Sequence, residues 1–189
     1  MERIKLKIPE KFNPFTDRTA RDIRNTLSEA FAAALAAMDP AGYLIEARKW
    51  RSQKLPARYA HYIDIRIQRY DLVFNTIREY RIDDRLQQAV VIWNQSLFFE
   101  FHDHLETLWK AATGDQRQML KGLIKAAGVY VHLEQHHEQA AKSLAMKSYD
   151  LLRQYPHCLA FITNFEILLD KLKKCDRVPP QLEISSIHD

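Results

Sequence analysis

The sequence predicts an all-α protein, an up-and-down helical bundle of about seven helices with no sheet. Three observations predict it. Apolar residues recur at i, i+3, i+4 and i+7 along most of the chain. Only four glycines interrupt 189 residues, and strong helix formers such as Ala, Leu, Glu, Gln, Lys and Arg dominate the rest. The turns between periodic segments span a few residues, which makes consecutive helices antiparallel neighbours.

Residues 1–15 alternate basic and apolar side chains and carry Pro9, Asn13 and Pro14, which suits an extended arm. Thr16 or Asp17 can cap a first helix, where Ile23, Leu27, Phe31, Leu35 and Met38 recur at helical spacing. Arg18, Arg21 and Arg24 crowd its first turns, against the preference of the helix dipole for negative charge there. They are expected to pair with Asp17, Asp22 or other carboxylates of the fold. Asp39-Pro40 opens a short helix toward Trp50, and Pro56 a long one carrying Tyr59, Ile63, Ile67, Tyr70, Phe74 and Ile77. In that helix Tyr59, His61, Tyr62, Arg66, Arg69 and Tyr70 mix aromatics with cations, as surfaces for single-stranded nucleic acid do. The tyrosines share the apolar stripe, however, and read as core.

Asp83 or Asp84 can cap the next helix, with Leu86, Val90 and Trp93 on its inner face. Ser96 then reads as the N-cap of the stretch from Leu97 to Trp109, with Gly114 as its C′ stop. Asp115 reads as the cap of a following helix whose Gly122 and Gly128 would each weaken it by ~1 kcal/mol, a cost that close helix packing can offset. His136-His137 forms the turn into a helix bearing Ala141, Leu144, Ala145, Leu151 and Leu152, which ends at Tyr155-Pro156. Thr163 to Glu166 has the pattern of a capping box before a last helix with Ile167, Leu168 and Leu172. The organisation expected is an N-terminal helical segment over 1–82, a bundle core over 83–175 and a polar tail over 176–189.

Composition narrows the function classes. The net charge of +4, from 28 basic and 24 acidic residues, permits a nucleic-acid partner without indicating one. No apolar run reaches the length of a membrane span, and the N-terminal residues lack the apolar core of a signal peptide, so a cytoplasmic protein is expected. Two isolated cysteines, Cys158 and Cys175, are too few for a thiolate metal cluster.

The most specific stretch is LFFEFHDHLETLW, residues 97–109. With His102 at zero on a helical wheel, Trp109 falls near about −20°, Phe98 near −40°, Leu105 near −60° and Glu106 near +40°. His102 and Glu106 are thereby placed inside an apolar stripe, Asp103 at its edge, and Glu100 and His104 on the outer face. The residues WNQSLFFEFHDHLETLW, followed by LKGLIKAAGVYVH, resemble the pattern of the domain of unknown function 309 family over roughly residues 85–153. Trp93 and Asn94, Phe98 to Glu100, His102, Asp103, Glu106, Trp109, Gly122 to Ile124 and His132 occupy the matching positions. Ser96 stands where that pattern has a turn glycine, Asp103 replaces glutamate, Lys125 replaces glutamine, Val131 replaces tyrosine and His136-His137 replaces Gly-Asn. The resemblance implies an all-helical bundle and brings no chemistry with it.

Three roles compete for this stretch. Glu106 and His102, one turn apart, can pair and fix helix register. They can supply ligands to a divalent metal, with His132 of the next helix as third donor. Alternatively they line a small-molecule pocket, with His102 as base, Glu106 as its orienter, Asp103 beside them, Lys125 or His132 facing an anionic ligand, and Trp109 and Phe98 as walls. The competing expectation is a non-catalytic interaction module, engaging a protein or, less favoured, nucleic acid, with homo-oligomerisation permitted. No local nucleophile signature, phosphate loop or dinucleotide fingerprint stands in the sequence.

Overall fold

The structure is a computed structural model that describes residues 11–185. Its described residues form eight α-helices: α1 (Arg18–Ala37), α2 (Ala41–Arg51), α3 (Ala57–Glu79), α4 (Arg85–Asn94), α5 (Phe98–Ala111), α6 (Gly114–Glu134), α7 (Glu138–Leu152) and α8 (Phe165–Lys174), with a 3-10 turn at Pro156–Leu159. The described chain is all-α as its periodicity predicts, and from α4 to α8 each helix packs on the next, as in an up-and-down bundle. The β pairing among the described residues is one isolated antiparallel bridge, Ile162 to Ile184. No described helix is long and apolar enough to cross a membrane. The arm expected over residues 1–15 lies outside the described residues as far as residue 10.

Two compact units divide the chain, residues 1–70 and 71–189. In the first, Asp17 caps α1, its carboxylate accepting from the Ala20 N–H and, at 2.5 Å, from the Tyr59 hydroxyl. The Tyr59 hydrogen bond holds the Asp17 carboxyl below its ordinary range. The arginines of the first turns are engaged locally, Arg21 donating to the carbonyls of Pro14 and Phe15 and Arg18 reaching Asp22. Phe31 stacks on Tyr70 at 4.2 Å, with Tyr43 edge-on to Tyr70. Tyr59 and Tyr70 are core residues and Arg66 is 7% exposed, as the stripe on α3 requires, while His61 is exposed and Tyr62 and Arg69 are half-buried.

In the second unit Asp84 caps α4 by accepting from Leu86 N and Gln87 N. Ser96 does not cap α5 as expected. Its φ is +54°, the left-handed conformation that a turn glycine would take, and it closes α4 instead. The Ser96 N–H donates to Trp93 O and the Leu97 N–H to Ile92 O, the paired bonds of a Schellman stop. The same two bonds recur at Met38, Arg81, His136 and Cys175, each with positive φ, so α1, α3, α4, α6 and α8 all end this way without glycine. Gly114, with φ +57°, opens α6, and α5 is closed by Arg117 from α6, which donates to the carbonyls of Trp109 and Ala112. A cation at those orphan carbonyls also suits the helix dipole.

The glycines of α6 serve α7. A Cβ on Gly122 would lie 2.6 Å from Leu152 Cδ2, 2.8 Å from Leu152 Cγ and 3.3 Å from Leu151 Cβ. Buried Ser148 of α7 donates to the Gly122 carbonyl at 2.8 Å. The capping box expected from Thr163 to Glu166 is not formed: α8 starts one residue later, with Asn164 at the N-cap position and no side-chain cap bond, while Thr163 bonds Glu183 O and the Asn164 amide is engaged with residues 181 and 183. The segment expected as a polar tail buries Pro180 and Leu182.

These contacts separate the two helix glycines of α6. Gly122→Ala must displace fully buried Leu152, an overpacking cost of about 1–3 kcal/mol that exceeds the ~1 kcal/mol gain in helix propensity. A net loss of up to about 2 kcal/mol is expected. Gly128→Ala meets only the far methyl of half-buried Leu144, at 3.1 Å, and is expected to be neutral or stabilising by up to ~1 kcal/mol. Urea unfolding of both variants checks the contrast.

Candidate functional site

The buried face of α5 is made by Phe98, Glu100, Phe101, His104 and Leu105, following buried Leu97. Its centre therefore lies at Phe101, about 100° from His102 on the wheel, with Leu105 beside it. This corrects the sequence expectation, which centred the stripe on His102 and turned Glu100 and His104 outward. Phe101 and Leu97 decide the matter, because both are buried, on the side of the helix opposite to half-buried Phe99. His102 and Glu106 lie on the border of the apolar face, not inside it.

His104 holds α5 to the start of α4. Its Nε2 lies 3.0 Å from the Arg85 carbonyl, and burial pushes its pKa below the ordinary imidazole range. The neutral ring with its proton on Nε2 is the form that can donate to that carbonyl. Glu100 is also buried, at 2% exposed. Phe98 is core as well, not the wall of an open pocket. It stacks on Tyr130 at 5.0 Å, while Trp93 meets Phe98, Phe101 and Tyr130 edge-on at 5.0, 5.1 and 5.3 Å. The Tyr130 hydroxyl is buried without a hydrogen-bond partner among the described residues. Burial, aided by Asp176 and Cys175, raises its pKa far above the ordinary phenol value.

The half-exposed border of α5 carries the residues singled out in the sequence. His102 Nδ1 is 3.5 Å from Asp103 Oδ1 and its Nε2 is 3.9 Å from Glu106 Oε1, with side chains 33%, 35% and 44% exposed. One imidazole thus lies between two carboxylates at ion-pair distance. One turn on, the Arg117 guanidinium covers the Trp109 ring at 4.0 Å, a cation–π contact that leaves Trp109 half-buried.

Lys125 and His132 belong to other surroundings. The Lys125 pKa is lowered, first by burial and then by Lys121 and Lys147, so it is one of a basic group on α6 and α7. His132 faces His137, with their Nδ1 atoms 3.4 Å apart, and burial and then His137 lower its pKa. Among the described residues no group of three or more His, Cys, Asp or Glu side chains is placed to hold a metal ion. His102 and Glu106 would therefore offer a divalent ion two donors, without His132 as the third. Cys158 and Cys175 are separate free thiols.

The combination of a Trp-Asn helix end at Trp93-Asn94, an acid-flanked histidine on α5 and a glycine-bearing α6 lies in one continuous segment. Residues 86–144 match the domain of unknown function DUF309. The DUF309 segment runs from α4 into the first half of α7. It contains Trp93, the His102 triad, Trp109, Gly122, Lys125, Tyr130 and His132. No curated protein and no solved structure matches the chain.

The inward histidines give a pH signature. A depressed folded-state pKa means that the unfolded chain binds more protons as pH falls below about 6.5. Stability from His104 and His132 is therefore complete above that range and declines below it. Denaturant midpoints measured between pH 7 and 5 should show this fall, with a shallower slope in His104→Leu. An unchanged slope in that variant would show that His104 is not the titrating group.

Proposed function

We propose that the DUF309 segment is a binding domain whose α5 face takes a small cationic or hydrogen-bond-donating ligand at His102, Asp103 and Glu106. The observation that carries this reading is the imidazole held between two carboxylates on a half-exposed helix border. Exposed ion pairs of this kind contribute only ~0–1 kcal/mol to folding, so stability alone gives little reason for three ionisable groups here. Two carboxylates provide the counter-charge for a cation, and the ring provides an orientable donor or acceptor. The neighbouring Trp109 ring, already covered by Arg117, supplies an apolar flank. Lys125 and His132 take no part in this reading.

The test is a titration followed by NMR of the His102 ring, with alkylamines, guanidinium compounds and divalent metal salts as probes. Saturable shifts are expected with at least one amine or guanidinium probe in the wild type and not in Glu106→Gln. The melting temperature of Glu106→Gln should stay within a few degrees of wild type, as a loss of ~1 kcal/mol or less implies. Absence of any saturable shift, or unfolding of the domain by His102→Ala, would favour a purely structural pair. A response confined to metal salts would assign a two-donor metal site instead.

A further inference from the structure

The structure places residues 179–185 between two walls, the C-terminal end of α4 and the turn 161–164 before α8. The bonds run almost wholly to backbone groups. Asn94 reads both sides of Leu182, its Nδ2 donating to Leu182 O and its Oδ1 accepting from Leu182 N, each at 2.8 Å. Asn164 does the same one step out of phase, donating to Gln181 O and accepting from Glu183 N at 3.0 Å each. Trp93 Nε1 donates to Pro180 O at 2.8 Å, Thr163 N to Glu183 O and Ser185 N to Phe161 O. Pro180 and Leu182 are buried while Gln181 and Glu183 are exposed, the alternation of an extended strand.

Two primary amides that clamp successive peptide groups of an extended chain, with apolar seats at alternate residues, form the arrangement used to recognise peptides by strand addition. Main-chain bonds supply affinity that tolerates sequence, and the seats for Pro180 and Leu182 supply selectivity. Trp93 and Asn94 belong to the DUF309 segment, whereas residues 179–185 lie outside it. The α4 wall is thus part of the matched segment, whereas the turn 161–164 and the occupant both lie beyond it. The linker back to α8 is exposed at Arg177 and Val178 and is held by surface contacts, Arg177 to Glu138, Lys171 to Asp176 and Val178 N to Asp176 Oδ1.

We propose that this groove is a peptide-recognition site for a partner protein presenting an extended Pro-x-Leu segment, and that residues 179–185 fill it as an internal ligand. The groove is separate from the His102 face, and neither proposal rests on the other.

The test uses the full chain carrying Leu182→Asp, which removes the internal ligand from its apolar seat, and a labelled peptide with the sequence of residues 179–185. Fluorescence anisotropy should show binding at least tenfold tighter to Leu182→Asp than to wild type. Binding should be lost when Asn94→Ala is added or when the peptide carries Asp for its Leu. If Leu182→Asp does not give the wild-type helical circular dichroism, Leu182→Ala is read in the same way. Failure of the peptide to bind a folded variant, or equal binding to the variant and wild type, overturns the proposal. Loss of fold in both variants also overturns it, because the segment would then be an inseparable part of the core.

Discussion

The approach of α7 to the backbone of α6 at Gly122 is the constraint on which the unit 71–189 depends. Leu152 lies where a side chain at position 122 would be, and Ser148 bonds the exposed carbonyl beside it. With that face of α6 committed to α7, other side chains of the helix are left for α5. Tyr130 meets Phe98 and Trp93 there, so a contact between two later helices determines what α5 packs against. A helix that lacks two side chains gains its stability from its neighbours and not from its own propensity.

The polar residues of α5 acquire their roles from this packing. His104 and Glu100 turn inward with Phe101, and His104 ties α5 to the first residue of α4. His102, Asp103 and Glu106 remain at the border, where water reaches them. Two histidines two residues apart thus differ in kind, His104 a desolvated ring bonded to a carbonyl and His102 a ring 33% exposed whose Nδ1 is buried. Arg117 joins the end of α5 to the start of α6 by covering Trp109 and bonding its carbonyl, so the border residues sit on a helix fixed at both ends.

Where the sequence carried a local mechanism, the fold was legible in it. Asp17 and Asp84 are caps because a carboxylate can reach free N–H groups within three residues, and the stripe from Tyr59 to Ile77 is buried because its spacing leaves one apolar face. The failures also have physical causes. Ser96 has the chemistry of an N-cap, but a neighbouring helix end claimed it for a left-handed turn. Thr163 has the chemistry of a capping-box residue, but it was taken by Glu183, twenty residues away. In α5 the wheel was centred on ionisable residues and aromatics, and it left out Phe101 and Leu97, the two that anchor the face. The peptide groove had no local signal at all, since it joins residues 93–94 to 180–185 through backbone groups that every sequence shares.

Five helix stops in left-handed geometry without a glycine have a consequence for how the chain resists change. Each places a side chain where L-residues are disfavoured by about 1 kcal/mol, a native-state strain that the following residue must hold in place. Ile82 and Leu97 do so by being buried directly after the turn. The denatured chain, in exchange, carries fewer of its loosest joints and loses less freedom on folding. The lengths of α3 and α4 are therefore enforced by what docks after their stops, so an insertion at either corner would let the helix run on through the point where the chain turns.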